Sequence, residues 1–388
     1  MNTRRITIIV IFLLAFLTGV NFVIFPALST AFTDSSLFGL SSSQFGNLFI
    51  PQVICIIISC LGAPFLVNKW GPKLVLVSGV LLMLISTGAL WILHYFITEK
   101  AALFPVLMIL VACTGTGFGL SITTLNPLAA SLFEKGNSSA ILLLQFLVGL
   151  GTSTSPLMMN LIGNVKYWMY VPGCIFIVVG LIWIALLFLK IGKGTFFTLP
   201  EHFKLPGKLW WFFAAIMLYG GVEGTFGSFG GIILKDKGLD NSNASLGLSL
   251  FWGGIAVNRL LFGIFSKKAD LSSFFLFAPV GVAALILLLL VYPDVRILLL
   301  MMFLIGFFMG SIFPGSIGWG TVEFPAYSVV VSGFLMAANQ IGTGVATNVL
   351  GHFPRYISSI LGILMIFMFL ICIVFFCLKK DSRIKEAF

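Results

Sequence analysis

A single carboxylate stands where charge is expensive. Between Tyr219 and Gly231 the chain reads YGGVEGTFGSFGG, inside an apolar run from Leu209 to Leu234, with Glu223 near its middle. That run is long enough to cross a bilayer. An ionisable group at such depth costs several kcal/mol, about 2.5–3.5 on insertion scales for related charges, unless it faces a polar cavity or a partner. Low dielectric disfavours the charged form, so a carboxylate in a cavity that opens to each side in turn can take up a proton and release it. The competing reading is a tight helix–helix seam holding a protonated, hydrogen-bonded Glu223. The six glycines of the stretch weaken the helix and let another backbone or a ligand come close, which suits a helix that bends around a solvated pathway.

Asn21, Gln52, Asn339 and Gln340 fall at comparable depth in other apolar runs, with Trp252 as an aromatic surface. Amides offer donors and acceptors together, as a hydroxyl-rich ligand requires, and an indole face can lie against that ligand's apolar side. With Glu223, these are the candidate substrate-binding residues. Interhelical hydrogen bonding, worth about 0.6–2 kcal/mol in membranes, is the alternative for each amide. Asn339 and Gln340 are chain neighbours, and neighbours on one helix are expected to face different ways. Asn126, Gln145 and Asn258 lie nearer one membrane face and read as structural or gating positions. Arg259 could recognise an anion through its planar fork of donors. The preferred reading is that it snorkels to the interface or pairs with Glu323. His94, His202 and His352 are isolated from thiols and carboxylates, so no metal site, cofactor site or catalytic constellation is expected.

The chain that must position these groups has 388 residues, 59% hydrophobic and only 9% charged, with mean hydropathy +1.13. That lies outside the range of water-soluble globular domains and fits an all-α, polytopic membrane protein. The net charge of +10 is dispersed over short loops and chain ends, where anionic lipid accounts for it, so no nucleic-acid partner follows. All six cysteines lie in apolar segments and read as small hydrophobes. The basic start MNTRRITIIVIFLLAFLTGV looks like a signal peptide, but its apolar run continues to Phe32 without an obvious small-residue cleavage site. It reads as the first membrane helix.

About twenty apolar residues span a bilayer, and twelve runs qualify. They are Ile6–Phe32, Phe45–Val67, Leu74–Phe96, Leu103–Phe133, Ala140–Gly163 and Tyr167–Leu189, then Leu209–Leu234, Ala244–Phe265, Ser273–Tyr292, Ile297–Thr321, Tyr327–Gly351 and Tyr356–Leu378. A more polar segment from Lys190 to Lys208 separates two sets of six, so the expected units are 1–189, a linker 190–208, and 209–388 with a basic tail. Fifteen Lys and Arg fall on the side of the N-terminus and six on the other, which puts both termini and the linker in the cytoplasm. Gly19-Val20-Asn21 in the first run echoes Gly221-Val222-Glu223 in the seventh, and Gly151-Thr152 in the fifth echoes Gly342-Thr343 in the eleventh. These matches support two pseudo-symmetric six-helix bundles, an arrangement that places a substrate site between halves at mid-depth.

Twelve spans with cytoplasmic ends and a central linker resemble the major facilitator superfamily, whose loop between helices 2 and 3 carries a Gly-x-x-x-Asp-Arg-x-Gly-Arg-Arg motif. Here the loop reads Asn68-Lys69-Trp70-Gly71-Pro72-Lys73, degenerate but correctly placed. Asn68 stands where the motif's Asp belongs and Pro64 where its first Gly belongs. By this resemblance Asn68 and Gly71 are gating positions without the motif's salt bridge. Gly263 with Lys267 and Lys268 repeats the pattern between the eighth and ninth runs. The stretch from Leu125 to Pro156 resembles the fucose:proton symporter family in Asn126-Pro127, Gln145, Gly149, Gly151 and Pro156. The segments around Trp252 and Arg259 and at Phe313-Pro314 resemble helices 8 and 10 of that family. The resemblance implies a major facilitator fold and a sugar-like substrate. In one respect the chain departs from it: the acids that take part in proton coupling in helices 1 and 4 of that family align with Phe22 and Ile122. Glu223 is the acid left near mid-membrane, since Glu323 sits at the cytoplasmic end of the tenth run.

The resulting expectation is a monomeric transporter of the cytoplasmic (inner) membrane that moves a small polar solute, a sugar or a related compound, by alternating access, coupled to protons through Glu223. Efflux of amphipathic compounds stays open, favoured by the aromatic and Met content and disfavoured by the amide cluster. Uncoupled facilitated diffusion stays open as well. A channel fits the repeat less well, and a lipid-processing enzyme lacks a His, Asp or metal-ligand cluster at an interface.

Overall fold

A computed structural model describes residues 3–96, 100–131, 137–189, 191, 206–265, 273–292, 294–324 and 328–380. Most of the polar connection, Lys267, Lys268 and the tail beyond 380 lie outside the described residues. The first half comprises α1 (Thr3–Phe22), α2 (Ile24–Ala27), α3 (Ser29–Thr33), α4 (Ser42–Asn47), α5 (Phe49–Trp70), α6 (Pro72–Ile92), α7 (Lys100–Ser131), α8 (Asn137–Ile162) and α9 (Tyr170–Phe188). The second comprises α10 (Leu209–Asp236), α11 (Asn241–Phe265), α12 (Phe274–Val291), α13 (Val295–Met309), α14 (Ile312–Glu323), α15 (Ser328–His352) and α16 (Ile357–Lys380). Apolar side chains such as Ile58, Phe188 and Phe277 are more than half exposed, a periphery suited to lipid tails.

Twelve spans were expected; among the described residues ten segments are long and apolar enough to cross a membrane. The other two, α8 and α15, have the length, at 26 and 25 residues. Thr152 and Ser155 of α8 and Asn339 and Gln340 of α15 are buried against other helices rather than facing lipid.

In lipid, helices associate closely only where small residues let backbones approach. A methyl on Gly19 of α1 would stand 2.0 Å from the Val148 carbonyl oxygen of α8, and one on Gly151 would stand 2.0 Å from that of Phe16. The same two contacts recur between α10 and α15, with Gly220 at 2.1 Å from the Asn339 oxygen and Gly342 at 1.8 Å from that of Met217. A second set recurs likewise. Gly115 and Gly119 of α7 meet the Gln52 and Ile56 oxygens of α5, as Gly306 of α13 and the following Gly310 meet the Phe251 and Ile255 oxygens of α11. By contact, therefore, Gly19 corresponds to Gly220 and not to Gly221, where a methyl would meet nothing nearer than the Phe367 ring at 3.5 Å. The sequence echo is off by one residue, and Phe22 rather than Asn21 corresponds to Glu223.

The glycine-rich α10 runs unbroken from Leu209 to Asp236. Among the described residues, breaks lie at Val23 and Leu28 in the first span, at Leu48 in the second and at Gly310–Ser311 in the tenth. Glycine costs a helix about 1 kcal/mol but keeps its N–H, whereas proline removes a donor. Pro26 leaves the Phe22 carbonyl without its intrahelical partner, and Gln52 Nε2 donates to that oxygen at 3.4 Å. Pro314 does the same to the Gly310 carbonyl, to which Arg259 Nε donates at 3.1 Å. Pro64, Pro156 and Pro279 sit inside unbroken helices.

Polar contacts between the halves gather at the helix ends remote from the termini. Asn348 Nδ2 donates to Asn47 Oδ1 at 2.9 Å, Asn160 Nδ2 donates to Ser242 Oγ at 2.8 Å, and Ser153 and Ser249 share a hydroxyl contact at 3.0 Å.

Candidate functional site

Five of the six candidate binding residues line one cavity. Gln52 of α5, Glu223 of α10, Trp252 of α11, and Asn339 and Gln340 of α15 converge there, with Phe22 at the end of α1 and Phe49 of α5 closing it. The water-accessible volume is about 30 Å³, room for one or two waters. Ligand pockets are on the order of 300 Å³ or more, so admitting a sugar requires the surrounding helices to part.

Two readings of the glycine-rich stretch apply to two faces of α10. Gly220 forms the dry seam, where a methyl would lie 2.1 Å from the Asn339 oxygen, and Gly224 stands at the seam's edge, 2.7 Å from Thr343 Cα for an added methyl and at the cavity wall. Glu223 and Gly227 face the cavity. The Glu223 carboxylate is half-buried. Its Oε1 accepts from the Tyr219 hydroxyl at 3.1 Å, and its Oε2 accepts from Asn339 Nδ2 at 2.8 Å. Each hydrogen bond to a charged group contributes about 1.5–3 kcal/mol, which offsets the cost of charge at this depth. Tyr219 is fully buried; its hydroxyl also lies 3.2 Å from the Met309 carbonyl oxygen and against the Arg259 guanidinium.

Asn339 and Gln340 were expected to face different ways. Both reach the cavity, because the longer Gln340 side chain folds back and donates to Asn339 Oδ1 at 2.9 Å. Asn21 does not reach it. One residue of helix turns a side chain by about 100°, so Phe22 faces the cavity while Asn21, fully buried, donates to the Leu17 carbonyl of its own helix at 2.9 Å. Phe22 lies 4.4 Å from the Phe118 ring and 6.2 Å, edge-on, from Trp252.

Residues 7–347 match the Major Facilitator Superfamily. The chain belongs to the major facilitator superfamily. It is 25% identical over 309 residues, 74% of each chain, to the glucose/mannose transporter GlcP of Bacillus subtilis (strain 168). Its fold is similar to that of the nucleoside transporter NupG, with a TM-score of 0.73 and 14% identity over 97% of this chain and 99% of that one. It is also similar to the E. coli fucose:proton symporter FucP, with a TM-score of 0.62 and 17% identity over 96% and 98% of the two chains. This major facilitator is thus a multi-pass membrane transporter and not an enzyme.

The candidate gating positions of this major facilitator fall into separate contacts. Gly71, with φ +85°, turns the chain between α5 and α6, where a side chain would strain the backbone. Asn68 is exposed at the end of α5. Lys73 Nζ donates to the Leu187 carbonyl at 2.7 Å, tying the start of α6 to the end of α9. Gln145 Nε2 donates to Asn126 Oδ1 at 3.0 Å and joins α8 to α7. Asn258 Oδ1 accepts from the Ser311 hydroxyl. Arg259 neither snorkels nor pairs with Glu323. It is 9% exposed and satisfies the Gly310 carbonyl, while Glu323 pairs with Lys208. The expectation failed because the carbonyl freed by Pro314 lies inside the protein, within reach of a long side chain on α11. Tyr219 was missed, although its place one helical turn before Glu223 is a sequence signal.

Proposed function

We propose that this chain is a proton-coupled sugar transporter of the cytoplasmic membrane that works by alternating access. In this reading residues 1–189 and 209–388 form two six-helix bundles joined by the linker 190–208, with both termini in the cytoplasm. The protein acts as a monomer whose bundles rock about the cavity. The observation that supports it is the cavity lining, in which Glu223 is the one ionisable residue among the described residues, set among the amides of Gln52, Asn339 and Gln340 beside Trp252. Amides and a carboxylate offer the donors and acceptors that sugar hydroxyls need, and the indole suits the C–H face of a pyranose. The similarity to the glucose/mannose transporter GlcP supports glucose or mannose as the substrate class. The neutral pairs Asn47–Asn348 and Asn160–Ser242 act as the seal remote from the termini. Each contributes about 1 kcal/mol, weak enough to break in every cycle.

Proteoliposomes test this with radiolabelled glucose and mannose set against a lipophilic cation. Uptake of sugar driven by an inward proton gradient is expected, with Glu223→Gln retaining exchange and losing accumulation. Unchanged uphill transport in that variant removes Glu223 from coupling, and transport of the cation without sugar makes the protein an efflux carrier. An uncoupled facilitator is the second reading, favoured by Phe22 and Ile122 at the positions that carry acids in the symporter family. It requires internal glucose never to exceed external glucose, whatever the pH gradient.

A further inference from the structure

The break between α13 and α14 is held at three consecutive residues by polar groups of α10 and α11. The Tyr219 hydroxyl faces the Met309 carbonyl at 3.2 Å, Arg259 Nε donates to the Gly310 carbonyl at 3.1 Å, and the Ser311 hydroxyl donates to Asn258 Oδ1. The first of these contacts is conditional. A phenol carries one proton, and Tyr219 has two acceptors in reach, Met309 O and Glu223 Oε1 at 3.1 Å. While Glu223 is ionised, the carboxylate is the stronger acceptor and takes that proton, leaving Met309 O without it. Asn339 Nδ2 can only donate, and it occupies Oε2, so Oε1 is the oxygen free to be protonated. Once protonated there, Glu223 donates to the Tyr219 oxygen, and the phenol proton swings to Met309 O. No covalent bond other than the new Glu223 O–H changes; the tyrosine hydroxyl rotates. Around this pair the ionisable neighbour is Arg259 on α11, and the cavity walls from α1, α2, α5 and α15 supply none among the described residues.

We propose that Tyr219 is the positioning residue of the transport cycle: its single hydroxyl proton carries the charge state of Glu223 to the Met309 carbonyl, tightening the α13–α14 break when Glu223 is protonated and loosening it when Glu223 is ionised. The proposal rests on the reading of Glu223 as the proton carrier. It gives the carboxylate a route to α14, whose last residue, Glu323, pairs with Lys208 at the opposite helix ends.

Tyr219→Phe keeps the ring that stacks on Phe313 and removes only the hydroxyl. In proteoliposomes with glucose as the probe, its accumulation under a proton gradient is expected to fall roughly tenfold while counterflow exchange falls by less than about threefold. Loss of accumulation in Glu223→Gln but not in Tyr219→Phe overturns the tyrosine switch alone, whereas wild-type accumulation in Glu223→Gln overturns the reading of Glu223 beneath it. Hydrogen exchange on the unsubstituted protein provides a measurement independent of transport. After correction for the intrinsic pH dependence of exchange, amides of residues 309–316 are expected to gain protection as the pH is lowered, and the gain to vanish in Glu223→Gln. Unchanged protection in the wild type across the whole pH range in which it stays folded overturns the proposal.

Discussion

Gly19 stands to Val148 in the first half of the chain as Gly220 stands to Asn339 in the second, and Gly119 stands to Ile56 as Gly310 stands to Ile255. Carried along the helices, these contacts match Thr18 with Tyr219, Phe22 with Glu223, and Cys60 with Arg259. The last match is visible as one contact made twice: Cys60 Sγ lies 3.9 Å from the Gly119 carbonyl oxygen, and Arg259 Nε lies 3.1 Å from that of Gly310. At these three positions the first half carries the smaller or less polar side chain. Where the second half has Pro314, the first has Thr123, which keeps its N–H, and α7 runs through unbroken. The two regions share a glycine-mediated backbone scaffold, but Glu223, Arg259 and the break between α13 and α14 have no counterpart at the matched positions of the first half. The first half contributes walls to the cavity, Phe22 and Phe49, and a single amide, Gln52.

The register of that comparison is its most breakable part. Gly220→Ala and Gly342→Ala place methyls 2.1 and 1.8 Å from backbone oxygens, and Gly19→Ala and Gly151→Ala do the same at 2.0 Å. All four are expected to cost more than the about 1–3 kcal/mol of ordinary overpacking and to lower the yield of folded protein on size exclusion, whereas Gly221→Ala folds like the wild type. Exchanged outcomes at Gly220 and Gly221 would restore the match of Asn21 with Glu223. The next effect in size is functional: Glu223→Gln loses roughly tenfold in proton-driven accumulation, and Phe22→Leu, its counterpart, loses no coupling. Smaller again is Arg259→Cys, which writes the first half's residue into the second. It leaves the buried Gly310 carbonyl without its donor, at about 1–3 kcal/mol, and lowers Tm by a few degrees; Cys60→Ala costs less than about 1 kcal/mol. The smallest change comes from Lys208→Ala. The side chains of its pair with Glu323 are 30% and 11% exposed, and a pair of that kind contributes about 0–1 kcal/mol, so Tm is expected to stay within error.

Much of the site was legible because a polar residue in an apolar run is conspicuous. Glu223, Gln52, Trp252, Asn339 and Gln340 were all visible in this way, and all five meet in one cavity. Asn21 was misjudged because the Gly-Val echo fits two registers one residue apart, and a single residue turns a helical side chain through about 100°. Tyr219 escaped notice because an aromatic residue in an apolar run is ordinary; what distinguishes it is the pair of acceptors, Glu223 and Met309, that folding brings to its hydroxyl. The prolines were equally visible, but Pro64, Pro156 and Pro279 leave their helices whole, while Pro26 and Pro314 mark breaks whose freed carbonyls take Gln52 and Arg259 from neighbouring helices.

By itself, then, the amino-acid sequence determined that this protein lives in a bilayer, roughly where its helices run, and that one carboxylate lies deep within them. Hydropathy and the cost of burying charge are properties of a local stretch of chain, so they can be read without a partner. Only the tertiary structure decided which polar groups meet, which face of α10 is dry, and which proline breaks its helix. Each of those depends on the rotation of one helix against another, and a turn of one residue exchanges a cavity-lining side chain for a buried one.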